Sequence, residues 1–85
     1  MNVNCFLGFC FVEVSNSSNI LGFGYDVFKD VLRVQYKDQA CYDYRGVGPS
    51  IVLGLYQSYK SGLSVGKYVH IHIKDKFETD RVEQL

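Results

Sequence analysis

Hydrophobic and polar positions alternate along the first half of this chain and recur at helical spacing in the second. Leu32, Val34 and Tyr36 alternate with Arg33, Gln35 and Lys37, which predicts an amphipathic strand over Val31 to Lys37 with its apolar face inward. Ile20 to Tyr25 predicts a second strand, with Leu21, Phe23 and Tyr25 on one face and Gly22 and Gly24 on the other. Two glycines on one face leave bare backbone that a ring or another chain can approach. Ala40 to Arg45 predicts a third, with Ala40, Tyr42 and Tyr44 sharing a face opposite Cys41, Asp43 and Arg45. Residues 3–14 predict one more strand. Its run Cys5 to Val12 is apolar on both faces and needs cover on both, from its own domain or from another subunit.

Gly46-Val47-Gly48-Pro49 marks the switch from strand to helix, with Pro49 suited to the first helical position. Ile51, Val52, Leu55, Tyr56 and Tyr59 then form one apolar stripe, and Gly62 lies where a helix-ending glycine belongs. Residues 64–77 carry two patterns. Tyr68 to Ile73 alternates like a strand, whereas Ser64 as an N-cap and the spacing of Val69 and Ile73 favour a short helix, the preferred reading. Residues 78–85 are polar and read as a frayed tail. The resulting fold class is α+β: an antiparallel sheet of about four strands, with one or two short helices packed on one face. Residues 1–85 form a single domain with a core at about 14–77.

Composition sharpens this picture in three ways. Aromatic residues, seven Tyr and six Phe, supply large buried areas to a core that 85 residues would otherwise leave thin. A formal net charge of zero argues against long-range attraction to nucleic acid, so any such site is a local patch. Three cysteines, at 5, 10 and 41, leave one unpaired and fit reduced thiols in the cytoplasm better than a secreted disulfide framework. The apolar run at 5–12 has no basic residue before it and is followed by Glu13, so it is not read as a signal peptide. Eight apolar residues are too few to cross a bilayer core of roughly 30 Å as a helix.

The order of short motifs resembles the KTSC family, a small module named for the C-terminus of certain lysyl-tRNA synthetases and also found free-standing, including in phages and their hosts. The resemblance rests on Ser17-Ser18-Asn19-Ile20, Gly24-Tyr25-Asp26, the strand Leu32 to Tyr36, and Tyr42-Asp43-Tyr44. It continues through Val47-Gly48-Pro49, Ser64 to Tyr68, and Ile73-Lys74-Asp75-Lys76-Phe77, covering about Val14 to Phe77. Strand 3–14 and tail 78–85 lie outside it. RNA binding is suspected for the family. Two positions depart from its pattern: Val65 stands where a basic residue is usual, and His70 where asparagine is common. Both make a phosphate site in this segment less secure.

Candidate ligand-binding residues concentrate in 60–77. Lys60, Lys67, Lys74 and Lys76 stand against Asp75, interleaved with Tyr68, His70 and His72. Lysines hold phosphate oxygens and aromatic rings stack on bases; the competing reading is a solvated basic face. Gly66 offers close approach of backbone N–H groups to a phosphate. Tyr42 and Tyr44 are candidate base-stacking residues, or core beneath the helix. His70, His72 and Cys41 lack a fourth ligand for zinc, so no metal is expected. No cofactor is expected, no nucleophile with an orienting base can be named, and catalytic residues are assigned as none.

The leading expectation is a non-enzymatic binding module for RNA or a nucleotide-like anionic ligand. The alternative is a phage-type oligomeric accessory protein that sequesters a nucleotide immune signal or blocks a host protein. It would be a homo-oligomer through the 3–14 strand, with no membrane association.

Overall fold

A computed structural model describes residues 3–6, 9–14, 17, 19–38 and 40–82, with side chains described from Val12 onward. It has an α+β fold in which six strands form one antiparallel sheet in chain order. These are β1 (Val3–Phe6), β2 (Phe9–Glu13), β3 (Ile20–Asp26), β4 (Val31–Tyr36), β5 (Cys41–Arg45) and β6 (Glu78–Val82). Helices α1 (Pro49–Lys60) and α2 (Val65–His72) are inserted between β5 and β6.

Two additions raise the strand count above the four expected. The apolar run at 3–14 is not one strand but two, β1 and β2, which pair antiparallel with Val3 opposite Val12 and Phe6 opposite Phe9. The segment 78–82 is not frayed: it pairs with β5 from Arg45 opposite Glu78 to Cys41 opposite Val82. Its polar sequence hides it, because an edge strand is held by main-chain bonding and needs no apolar alternation. Arg45 adds an ion pair to Asp80 and a longer one to Glu78 at 3.7 Å. Residues 83–85 of the expected tail lie outside the described residues.

Cross-strand register sets which side chains reach the helices. Val12 pairs with Phe23, Phe23 with Val34, and Val34 with Tyr42; Leu32 pairs with Tyr25 and Tyr44. These residues share the face against which Leu55 of α1 and Val65 and Val69 of α2 pack, joined by Ile73. Phe23 meets Tyr59 edge-on at 6.2 Å between ring centroids, tying α1 to the sheet. One expected assignment fails in β3. Leu21 is exposed, and Ile20 takes the buried place. The register shifts between Ile20, opposite Tyr36, and Gly22, opposite Gln35, so Leu21 is the extra residue of a bulge.

Helix ends follow the sequence signals. Pro49 opens α1. Its C-terminus closes in a Schellman arrangement, in which the Gly62 N–H donates to the Tyr59 carbonyl and the Leu63 N–H to the Ser58 carbonyl. Left-handed Gly62, at φ 75°, makes that closure possible. The helical reading of 65–72 holds, with the Ser64 hydroxyl accepting from the Lys67 N–H at 3.1 Å. Among the described residues, no helix is long and apolar enough to cross a membrane.

Candidate functional site: a tyrosine-lined hollow at the end of the sheet

α1 and α2 leave one end of the core face uncovered. There Tyr36, Tyr42 and Tyr44 form the floor of a hollow of about 670 Å³, bounded by Asn19, Lys37, Asp38, Ala40, Lys74, Asp75 and Thr79. Strand register brings the tyrosines together: Tyr42 and Tyr44 lie two apart on one face of β5, and Tyr36 ends the adjacent β4. The Tyr36 and Tyr44 hydroxyls are hydrogen-bonded at 2.9 Å, and the Tyr36 and Tyr42 rings meet edge-on at 5.8 Å. Tyr44 is buried, while Tyr36 and Tyr42 are half-buried. Burial pushes the Tyr36 hydroxyl well above the ordinary tyrosine range, and the bond to Tyr44 adds to the effect. Burial likewise raises Tyr44. These phenols are neutral at physiological pH and act as hydrogen-bonding groups and ring surfaces, not as bases.

Lys37 leaves the strand alternation because β4 ends at Tyr36, and its N–H donates to the Asn19 carbonyl at 2.8 Å. Lys74 follows α2, its N–H bonded to the Val69 carbonyl. Neither ammonium is ion-paired among the described residues, although Asp38 and Asp75 line the same hollow. One Asp38 oxygen accepts from the Ala40 N–H at 3.0 Å.

Of the ligand-binding candidates in the basic segment, Lys74 alone lines the hollow, beside the two tyrosines singled out separately, Tyr42 and Tyr44. The other candidates stand elsewhere. Lys60 lies 5.9 Å from the Tyr56 ring centroid at the end of α1. Lys67, His70, His72 and Lys76 are exposed on or after α2. Tyr68 joins the helices: its hydroxyl donates to the Ile51 carbonyl at 2.8 Å, and its ring lies 4.5 Å from that of His72. The space beside Gly66 that a phosphate was expected to use holds the Asn19 side chain. Sequence reading missed Tyr36, Lys37, Asp38 and Asp75 as site residues. The available signal was an aromatic ending β4 next to the Tyr42 and Tyr44 face.

The opposite face of the sheet has its own charges, already matched. Arg33 grips Asp43 through two bonds of 2.7 and 3.1 Å. Cys41 lies on that side, away from His70 on α2, and burial raises its thiol pKa, so the two make no catalytic pair. No group of three or more His, Cys, Asp or Glu side chains suited to a metal ion occurs among the described residues. A third knot fixes the turn between β3 and β4. Asp30 accepts from the Tyr25 hydroxyl at 2.7 Å and from the Gly48 N–H at 2.9 Å.

The strands β3 to β5 and the two helices that follow them coincide with the span of a known family. The KTSC domain family matches residues 16–77, and the chain belongs to it. The crystal structure of the KTSC domain protein YPO2434 from Yersinia pestis is similar at 33% identity and a TM-score of 0.69, over 85% of this chain and 94% of that one. β1, β2 and β6 lie outside the family match. No curated protein matches the chain.

Proposed function

We propose that the protein is a non-enzymatic binding module for RNA or a nucleotide-like anionic ligand, and that the tyrosine hollow is where the ligand sits. The observation that carries this reading is the meeting of half-buried rings with two lysines that have no carboxylate partner among the described residues. Rings at Tyr36 and Tyr42 offer apolar surface to a base, and Lys37 and Lys74 offer point charges to phosphate. Lys67 and Lys76, exposed nearby in the chain, would lengthen the basic path for an oligonucleotide. A cytoplasmic location goes with this reading.

Titration with short single-stranded RNA and with nucleoside monophosphates tests it. Affinity should fall steeply with salt. Removing both ammonium groups in a Lys37→Ala, Lys74→Ala variant should lower the slope of log affinity against log salt by about 0.7 per lost phosphate contact. Absence of binding at low salt would overturn the proposal.

A second reading has one observation in its favour. β1 forms one edge of the sheet and its residues 3–6 carry no charge, whereas the other edge, β6, carries Glu78, Asp80 and Arg81. Charged edges resist pairing with another chain and uncharged ones invite it. A homo-oligomer joined through β1 would suit a phage-type accessory protein that sequesters a nucleotide immune signal or blocks a host protein. Sedimentation showing a monomer at all concentrations would sink that reading.

A further inference from the structure

The hollow has an uneven supply of hydrogen-bonding groups. Tyr36 and Tyr44 share one hydrogen bond between their hydroxyls, which leaves one of the two O–H groups to donate elsewhere, and Asp38 gives one oxygen to the Ala40 N–H. Asp75 enters no hydrogen bond or ion pair among the described residues, although Lys74 and Lys76 flank it in sequence. Its backbone is unusual as well. Asp75 sits at φ 63°, in the left-handed region, within the turn that follows α2, where the Lys76 N–H bonds to the Ile73 carbonyl. Glycine takes that conformation without strain, and aspartate is among the residues with a side chain that enter it most readily. The turn after α2 therefore sets an exposed carboxylate, without a partner among the described residues, at the edge of the hollow. A purely anionic ligand gains nothing from it and is repelled by it.

Resting on the reading of the hollow as a nucleotide site, we infer that Asp75 makes it selective for guanine. A carboxylate presents two acceptor oxygens side by side. Guanine carries two adjacent donors, N1–H and the exocyclic N2 amino group, spaced to meet both oxygens at once. Adenine, cytosine and uracil each put a ring or carbonyl acceptor in one of those places and would bring a lone pair against the carboxylate. Lys37 and Lys74 then hold the phosphate, and the tyrosine rings hold the base plane. The mixture of two lysines and two aspartates in one hollow matches a ligand that is anionic at one end and a donor at the other.

The test is calorimetric titration of the whole protein with GMP, AMP, CMP and UMP at low salt, repeated on Asp75→Gly and Asp75→Asn. GMP should bind about tenfold or more tighter than the others, the discrimination one bidentate base contact supplies. Asp75→Gly relieves the backbone, so it should melt no lower than the parent, lose the preference for GMP and leave AMP binding equal or tighter. Asp75→Asn should lose the same preference while keeping a side chain of the same size. Equal affinity for all four nucleotides in the parent, or a GMP preference that survives in Asp75→Gly, overturns the selectivity and leaves the hollow as a general site. Failure of all four to bind overturns the selectivity, and failure of short single-stranded RNA to bind as well overturns the reading of the hollow.

Discussion

At the scale of single residues, the contact between Gly54 and Tyr68 shows how a helix tolerates a poor helix former. Gly54 lies in the middle of α1, where glycine costs roughly 1 kcal/mol relative to alanine. Its spacing alone suggests a simple weak point. The Tyr68 hydroxyl occupies the space a Cβ would fill, and it does so in order to reach the Ile51 carbonyl on the same helix. The α1–α2 contact thus depends on the missing side chain. Gly54→Ala should therefore destabilise the protein by about 1–3 kcal/mol in urea denaturation, despite the better helix propensity of alanine. Tyr68→Phe removes the obstructing oxygen and one hydrogen bond, for about 1 kcal/mol by itself. The double variant should be less destabilised than the sum of the two, because the nearest atom is gone and only ring carbons at 3.0 Å and 3.2 Å remain against the added methyl. Strict additivity would show that Tyr68 and Gly54 do not interact.

Among the elements, α2 and β6 mark the two ends of what local pattern conveys. Residues 65–72 carry strand-like alternation, yet Ser64 settles the matter by capping the Lys67 N–H, and Val65, Val69 and Ile73 then fall on one buried face. Ser64→Ala should cost about 1 kcal/mol and raise amide exchange first at Gly66 and Lys67; unchanged exchange there would mean the cap is not what starts the helix. β6 had no such local signal. Glu78 to Val82 is a strand because β5 offers it an edge, and that edge exists only after two helices have carried the chain back. The same distinction explains the site. Tyr42 and Tyr44 stand out in sequence because they are two apart on one strand. Tyr36, Lys37, Asp38 and Asp75 become neighbours through the β4–β5 register and the turn after α2, which no spacing along the chain expresses. The basic segment 60–77 misled for the converse reason: its lysines stand on different elements, Lys60 at the end of α1, Lys67 on α2 and Lys74 and Lys76 in the turn beyond, and of the four only Lys74 lines the hollow.

For the molecule as a whole, a radius of gyration of 11.5 Å is close to the roughly 12 Å expected of a folded chain this long. Much of so small a core is tyrosine, and that has a consequence at high pH. Burial first, and then the bond to Asp30, push the Tyr25 hydroxyl up to about 12. Burial also raises Tyr36, Tyr44 and Tyr68. In the unfolded chain these phenols lose their protons near pH 10, while in the folded protein they keep them. Above pH 10 the folded state thus binds more protons than the unfolded one, and stability falls as pH rises; below pH 10 both states are protonated and the contribution is fully present. Denaturation midpoints measured from pH 8 upward should be level to about pH 10 and then decline steeply. Tyr25→Phe should be less stable at neutral pH by about 1 kcal/mol, having lost the Asp30 bond, but should show a shallower decline between pH 10 and 12. Ultraviolet titration gives an independent readout, since Tyr25, Tyr36, Tyr44 and Tyr68 should ionise above the ordinary tyrosine range. A decline of unchanged slope in Tyr25→Phe would assign the alkaline loss to Tyr36, Tyr44 and Tyr68.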